Sequence, residues 1–213
     1  MLTVALVVLE ALQARYPAAM ANKRNNNTVR IIGGRWRSRR LPVADVPGLR
    51  PSGDRTRETL FNWLAPHVPG ARVRDAFAGS GALGLEALSR GAQHAVLVEQ
   101  HPVCVAALQE NVALLGAQAE VVRADVRQWL RRSPASVPFD VVFLDPPFAD
   151  DDIEQLCTLL VERAWLAPGA LVYIEQPDAA SAKMPAALQL SKSRTVGKVS
   201  IALYEWSRTG ADE

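Results

Sequence analysis

Cysteine and histidine are scarce in this chain: 213 residues carry two cysteines and three histidines. Neither Cys104 nor Cys157 stands in a short Cys/His spacing. That argues against a bound metal and a disulfide framework, and suits a reducing cytosol. Both thiols are expected on apolar helix faces, where they behave as small hydrophobes. His67, His94 and His101 are scattered and lack the neighbours of a nucleophilic or metal site. Long apolar runs are also missing. The run from Met1 to Leu12 is too short to span a bilayer, no basic segment precedes it, and no clear cleavage site follows. It reads as an added amphipathic helix, a weak targeting segment, or an extension upstream of a start at Met20. An extension or loose helix over residues 1–28 is favoured. Internal repeats and low-complexity segments are absent.

What is present fits one substantial α/β domain with a small appendage, at an ordinary 49% hydrophobic content. The net charge of +2 hides an asymmetry. Residues 22–57 hold ten Lys and Arg against two Asp, whereas residues 58–213 hold thirteen basic against nineteen acidic side chains. A basic arm on an acidic body is the footprint of a phosphate-backbone partner. A solvated charged tail is the plain alternative. The interleaved Val29, Ile31, Ile32, Trp36 and Leu41 weigh against it.

Val29 to Ile32 and Arg35 to Pro42 flank Gly33-Gly34, which reads as a hairpin closed by a two-glycine turn, residues 29–51 forming the arm. Asp54 is placed to cap a helix through Leu60, Phe61 and Leu64. Then strands and helices alternate: strand 72–78, a glycine loop and helix, strand 95–99, a helix opened by Pro102 and closed by Gly116, strand 119–124, and a short helix around Trp129. The apolar run Phe139 to Leu144 reads as a strand buried on both faces. A helix over 153–163 follows Asp150-Asp151-Asp152, read as dipole and capping groups rather than metal ligands. Strand 170–175 precedes an antiparallel pair, 188–196 and 199–206. The alternation predicts a mostly parallel sheet covered on both faces over residues 52–206, with 207–213 as a tail.

Gly79-Ser80-Gly81-Ala82-Leu83-Gly84 has the spacing G-x-G-x-x-G between strand and helix, which serves dinucleotides and S-adenosylmethionine alike. The flanks separate them. Asp75, four residues before Gly79, would repel a pyrophosphate but attract an ammonium or sulfonium. Glu99 ends the second strand, where a carboxylate can accept ribose hydroxyls. Asp125 follows the third, within reach of an adenine amino group. With Phe77 and Val126 beside them, these residues point to S-adenosyl-L-methionine. Downstream, Asp145-Pro146-Pro147-Phe148 is delivered to the same sheet edge. Two prolines remove donors and leave carbonyls to face a ligand. Asp145 and the Pro146 carbonyl would accept from an exocyclic amine, and Phe148 would stack on its ring. Alone, the tetrad is equally a strand-stop turn.

Four segments resemble the bacterial RsmD family: Arg30 to Arg37, Arg50-Pro51 with Asp54 to Asn62, Asp75 to Gly84, and Asp145 to Phe148. The resemblance implies a Rossmann-like class I methyltransferase with a seven-stranded sheet; the cysteine usage points to the cytoplasm, and a monomer is expected because nothing in the sequence suggests an obligate dimer. Its implied acceptor is N2 of guanine 966 in 16S ribosomal RNA, within an assembled or nearly assembled small ribosomal subunit. Ser52-Gly53 departs from the two threonines usual in the family. The resemblance also gives Arg35, Arg37, Arg39, Arg40, Arg50, Arg55 and Arg57 phosphates to contact, and Trp36 a base to stack on. Equal alternatives are that Trp36 anchors the hairpin and that Arg55 and Arg57 bond the cofactor carboxylate or glutamate side chains. Methylation of adenine N6 or a protein glutamine, or a catalytically silent RNA-binding assembly factor, are the competing readings.

Overall fold

The computed structural model describes residues 27–49, 51–132, 137–147, 152–177, 183–197 and 199–207. The leader, Arg50, Phe148, Asp150, Asp151 and the tail beyond 207 lie outside the described residues. A two-stranded hairpin, β1 (Thr28–Arg30) and β2 (Arg40–Pro42), leads to α1 (Asp54–Trp63). The body then runs β3 (Arg72–Asp75), α2 (Ala82–Ser89), β4 (His94–Glu99), α3 (Pro102–Leu115), β5 (Ala119–Arg123), α4 (Val126–Arg132), β6 (Phe139–Leu144) and α5 (Ile153–Glu162). Three strands close it: β7 (Leu166–Pro177), β8 (Leu188–Val196) and β9 (Val199–Trp206).

Seven strands form one sheet in the order β5-β4-β3-β6-β7-β9-β8. Neighbours from β5 to β7 are parallel, and β9 runs antiparallel to both β7 and β8. The chain moves outward from β3 to β5, then returns to lay β6 on the other side of β3. This reversal opens a crevice beyond the carboxyl ends of β3 and β6, where open α/β sheets bind ligands.

Alternation along the strands sorts the core into two clusters. Val73, Leu97, Val141, Phe143 and Tyr173 pack beneath α1, α2, α3 and the hairpin. Val96, Val142, Leu144, Val172 and Ile174 pack beneath α4 and α5. Both cysteines are buried and free, on α3 and α5. Helix α3 starts at Pro102, with His101 Nδ1 accepting from Val103 N–H, and ends at Gly116 with φ 57.

Several bounds differ from the sequence reading: β1 and β2 are shorter than the runs read for the hairpin, and β3 ends at Asp75 rather than 78. β7 begins at Leu166, because Leu166 pairs with Phe139 before a register shift. Pro168 and Gly169, which read as a loop, lie within this strand, and Gly169 takes φ 74. Gly53, not Asp54, caps α1, and the Asp54 carboxylate bonds Arg30 and Arg57 instead.

Candidate functional site at the strand ends

The crevice is a cavity of about 750 Å³. Asp75, Phe77, Gly79, Ser80, Glu99, Asp125, Val126, Asp145, Pro146 and Pro147 all line it. Gly81 and Gly84 do not. A Cβ at Gly84 would lie 2.3 Å from a Leu97 methyl, so this glycine lets α2 pack on β4. Gly81 takes φ 78 at the helix entry and abuts Leu108 and Leu85. The loop's third and second glycines therefore serve packing, not ligand approach. Residues 46–49 and 51–53, joining the hairpin to α1, form a further wall.

Each acid is fixed by a donor from its own neighbourhood. Asp75 Oδ2 accepts from Gly84 N–H at 2.9 Å. Burial lifts the Asp75 pKa to about 7; the Gly84 bond opposes the rise, and the charges of Asp145 and Glu99 add to it. Glu99 accepts from Gly79 N–H at 2.9 Å and His101 N–H at 2.7 Å. Asp125 Oδ1 accepts from Gln128 N–H at 2.9 Å, capping α4. A carboxylate oxygen holding one such bond keeps a second lone pair for a ligand. Acids crowded around one cavity favour a ligand that brings positive charge. Among the described residues no group of His, Cys, Asp or Glu is placed to hold a metal ion.

Asp145 follows β6 directly, and the Ser52 hydroxyl donates to its Oδ2 at 2.9 Å. Glu175, on β7, also lines the cavity, and the Tyr173 hydroxyl donates to its Oε2 at 2.9 Å. Burial raises both carboxyls above the ordinary range; the Ser52 bond opposes this for Asp145, while the Asp145 charge adds to it for Glu175. Sequence reasoning missed Glu175 and Ser52 as site residues. The signal for Glu175 was present: it stands at the end of a predicted strand, like the other acids.

The basic hairpin is docked to the body. Glu86, 0% exposed on α2, accepts from the N–H groups of Ile32 and Gly33 at 2.8 Å each. Ser89 O and Oγ take the N–H groups of Arg35 and Trp36. A Cβ at Gly34 would lie 1.9 Å from Ser89 O, so only glycine fits there. These bonds replace the expected two-residue glycine turn: the strand ladder covers 28–30 and 40–42, Ile31 bonds the backbone of Arg39 and Ser38 beyond it, and the tip folds onto the end of α2.

Two expected RNA contacts are corrected by burial. Arg57 is 1% exposed. It donates to Asp54 at 2.6 Å, Glu86 at 3.4 Å and the carbonyls of Arg30 at 2.9 Å and Ser52 at 3.1 Å, so it is closed to a phosphate. Of the readings open for Arg57, the glutamate bond is the one realised. Trp36 is 9% exposed within the core beneath the hairpin, with Arg35 stacked 4.0 Å from its ring centroid. It anchors the hairpin and cannot offer a free face to a base. Arg35, Arg37, Arg39, Arg40 and Arg55 are exposed.

Sheet order, the antiparallel β9 and a ligand crevice walled by acids at successive strand ends define a Rossmann-like methyltransferase. The family model described as Conserved hypothetical protein 95 matches residues 29–205. A relative from Escherichia coli strain K12, Ribosomal RNA small subunit methyltransferase D, is 43% identical over 194 residues, covering 90% of this chain and 97% of the relative. The protein of that name from Haemophilus influenzae is 44% identical over 180 residues, covering 83% and 93%. A solved structure of a putative methyltransferase from Escherichia coli superposes with a TM-score of 0.79 at 42% identity, covering 86% of this chain and 100% of that one. The chain belongs to this family, the RsmD family of methyltransferases.

Proposed function

We propose that the protein transfers the methyl group of S-adenosylmethionine to the exocyclic N2 of a guanine in small-subunit ribosomal RNA. The observation that carries the chemistry is the single cavity walled by Asp75, Glu99, Asp125 and Asp145 from four strand ends. The first three suit a donor with an ammonium, ribose hydroxyls and an adenine amine, respectively. S-adenosylmethionine supplies an electrophilic sulfonium methyl. Asp145 and the Pro146 carbonyl accept from the amine N–H groups and turn its lone pair, otherwise delocalised into the ring, toward that methyl. Positioning supplies most of the acceleration. The proton lost from nitrogen passes to Asp145 or to water.

The small-subunit names of the relatives support ribosomal RNA as the substrate, and the exposed Arg35, Arg37, Arg39, Arg40 and Arg55 support a phosphate-rich partner. The family resemblance supplies the guanine and its setting in an assembled or nearly assembled subunit; a cytoplasmic monomer is the working form proposed. A guanine stacked in that setting must leave the stack to enter the cavity. No described helix is long and apolar enough to cross a membrane.

The test uses small subunits from a strain lacking the gene, purified protein and methyl-labelled S-adenosylmethionine. Mass spectrometry of the digested RNA is expected to show N2-methylguanosine. Label confined to N6-methyladenosine, or no transfer despite RNA binding, overturns the assignment. Asp145→Ala is expected to lower turnover roughly a hundredfold or more while cofactor binding persists.

A further inference from the structure

Two carboxylates stand side by side in the cavity, each steadied by a hydroxyl. Ser52 holds Asp145 Oδ2, and Tyr173 holds Glu175 Oε2. Strand register makes the acids neighbours: Leu144 pairs with Ile174 across β6 and β7, and Asp145 and Glu175 come next. By alternation both project to the face of Phe143 and Tyr173, whose rings meet edge-on at 6.1 Å. Among the described residues no side chain donates to Asp145 Oδ1 or Glu175 Oε1. Arg57, buried on this face, is committed to Asp54 and Glu86. The pair therefore presents two acceptors and no cation of its own, an arrangement that is costly until a ligand brings donors.

The ligand edge that fits is one with two adjacent N–H donors. Guanine offers N1–H beside the N2 amine. Adenine offers its N6 amine beside a bare N1 acceptor, which a second carboxylate repels. We propose that Glu175 selects guanine, its Oε1 accepting from N1–H while Asp145 accepts from the N2 amine. This rests on the guanine-N2 reading above and deepens it. Tyr173 is a positioning residue that fixes which Glu175 oxygen is offered, and Ser52 does the same for Asp145.

2-Aminopurine separates the two contacts, because it keeps the methylatable amine but has no proton on N1. Small subunits reconstituted with guanine or 2-aminopurine at the target are compared in single-turnover reactions. Wild-type protein is expected to favour guanine by roughly 10- to 100-fold, the range of a hydrogen bond to a charged group. In Glu175→Gln the amide can donate to the bare nitrogen, so the gap closes or reverses while cofactor affinity is retained. Tyr173→Phe keeps the carboxylate without its hydroxyl donor and narrows the gap. If Glu175→Gln is inactive, Tyr173→Phe alone decides. A gap as wide as wild type in the active variants overturns the proposal. Wild-type label on adenine instead of guanine overturns the reading beneath it as well, which keeps the two failures distinguishable.

Discussion

Arg57 and Arg74 are equally hidden, each 1% exposed, yet they occupy opposite faces of the sheet and do opposite things with their charge. Arg57 is met by two carboxylates and two backbone carbonyls. Through them it joins β1, the Ser52 segment, α1 and α2. Among the described residues, Arg74 has no carboxylate in ion-pair contact. Its guanidinium lies 3.8 Å from the Trp129 ring centroid, 4.0 Å from Trp165 and 4.1 Å from Phe139, and its Nε and Nη1 have no hydrogen-bond partner among the described residues. Burial pushes its pKa down to about 8, and the charge of Glu120 only partly offsets this. A buried arginine is thus no single kind of feature. One is a bolt between functional segments; the other fills an aromatic cage behind the sheet.

That contrast can be broken by replacement. Arg57→Met leaves Glu86 buried with Arg90 as its one remaining charged partner among the described residues. Removing one partner of a buried pair costs about 3–5 kcal/mol, so a loss of that order is expected in urea unfolding. Faster amide exchange at Ile32 and Gly33 should accompany it, since their acceptor is Glu86. Arg74→Met removes a charge that lacks an ionic partner, and is expected to leave stability unchanged or raise it by about 1–4 kcal/mol. Equal losses in the two variants would erase the distinction. The exposed arginines give the smallest effect on the fold. Arg37→Gln with Arg39→Gln should change stability by no more than about 0.5 kcal/mol. RNA affinity should nevertheless fall, with a salt dependence shallower by roughly 1.5 in log–log slope for two lost phosphate contacts. Equal loss of cofactor affinity would show that these side chains serve the cavity instead.

Much of the fold was legible because its elements obey local rules. The apolar run 139–144 and the pair 188–196 and 199–206 carry the bounds read from the sequence. Proline-in and glycine-out fixed α3. β7 was read short because Pro168-Gly169 is normally a stop, and only pairing of Leu166 with Phe139 carries the strand across it. Asp75, Glu99, Asp125 and Asp145 were legible from their place at strand ends, whereas Glu175, which lines the same cavity, was passed over. Glu86 was not singled out, although a lone carboxylate in the otherwise apolar and small helix Ala82–Ser89 must find a partner. Ser52 was noticed only as a departure from its family. That its hydroxyl meets Asp145 depends on a contact between residues 93 apart.

By itself, then, the sequence determined the alternation of strands and helices, the glycine loop, the acids that end the strands, and the basic charge of residues 22–57. These follow from periodicity, turn chemistry and composition, which act over a few residues. Only the tertiary structure decided which charges are spent inside the molecule. It turned Trp36 and Arg57 inward, left Arg35, Arg37, Arg39, Arg40 and Arg55 outside, and set Glu175 beside Asp145. Burial and pairing are properties of neighbours distant in the chain, and no local pattern carries them.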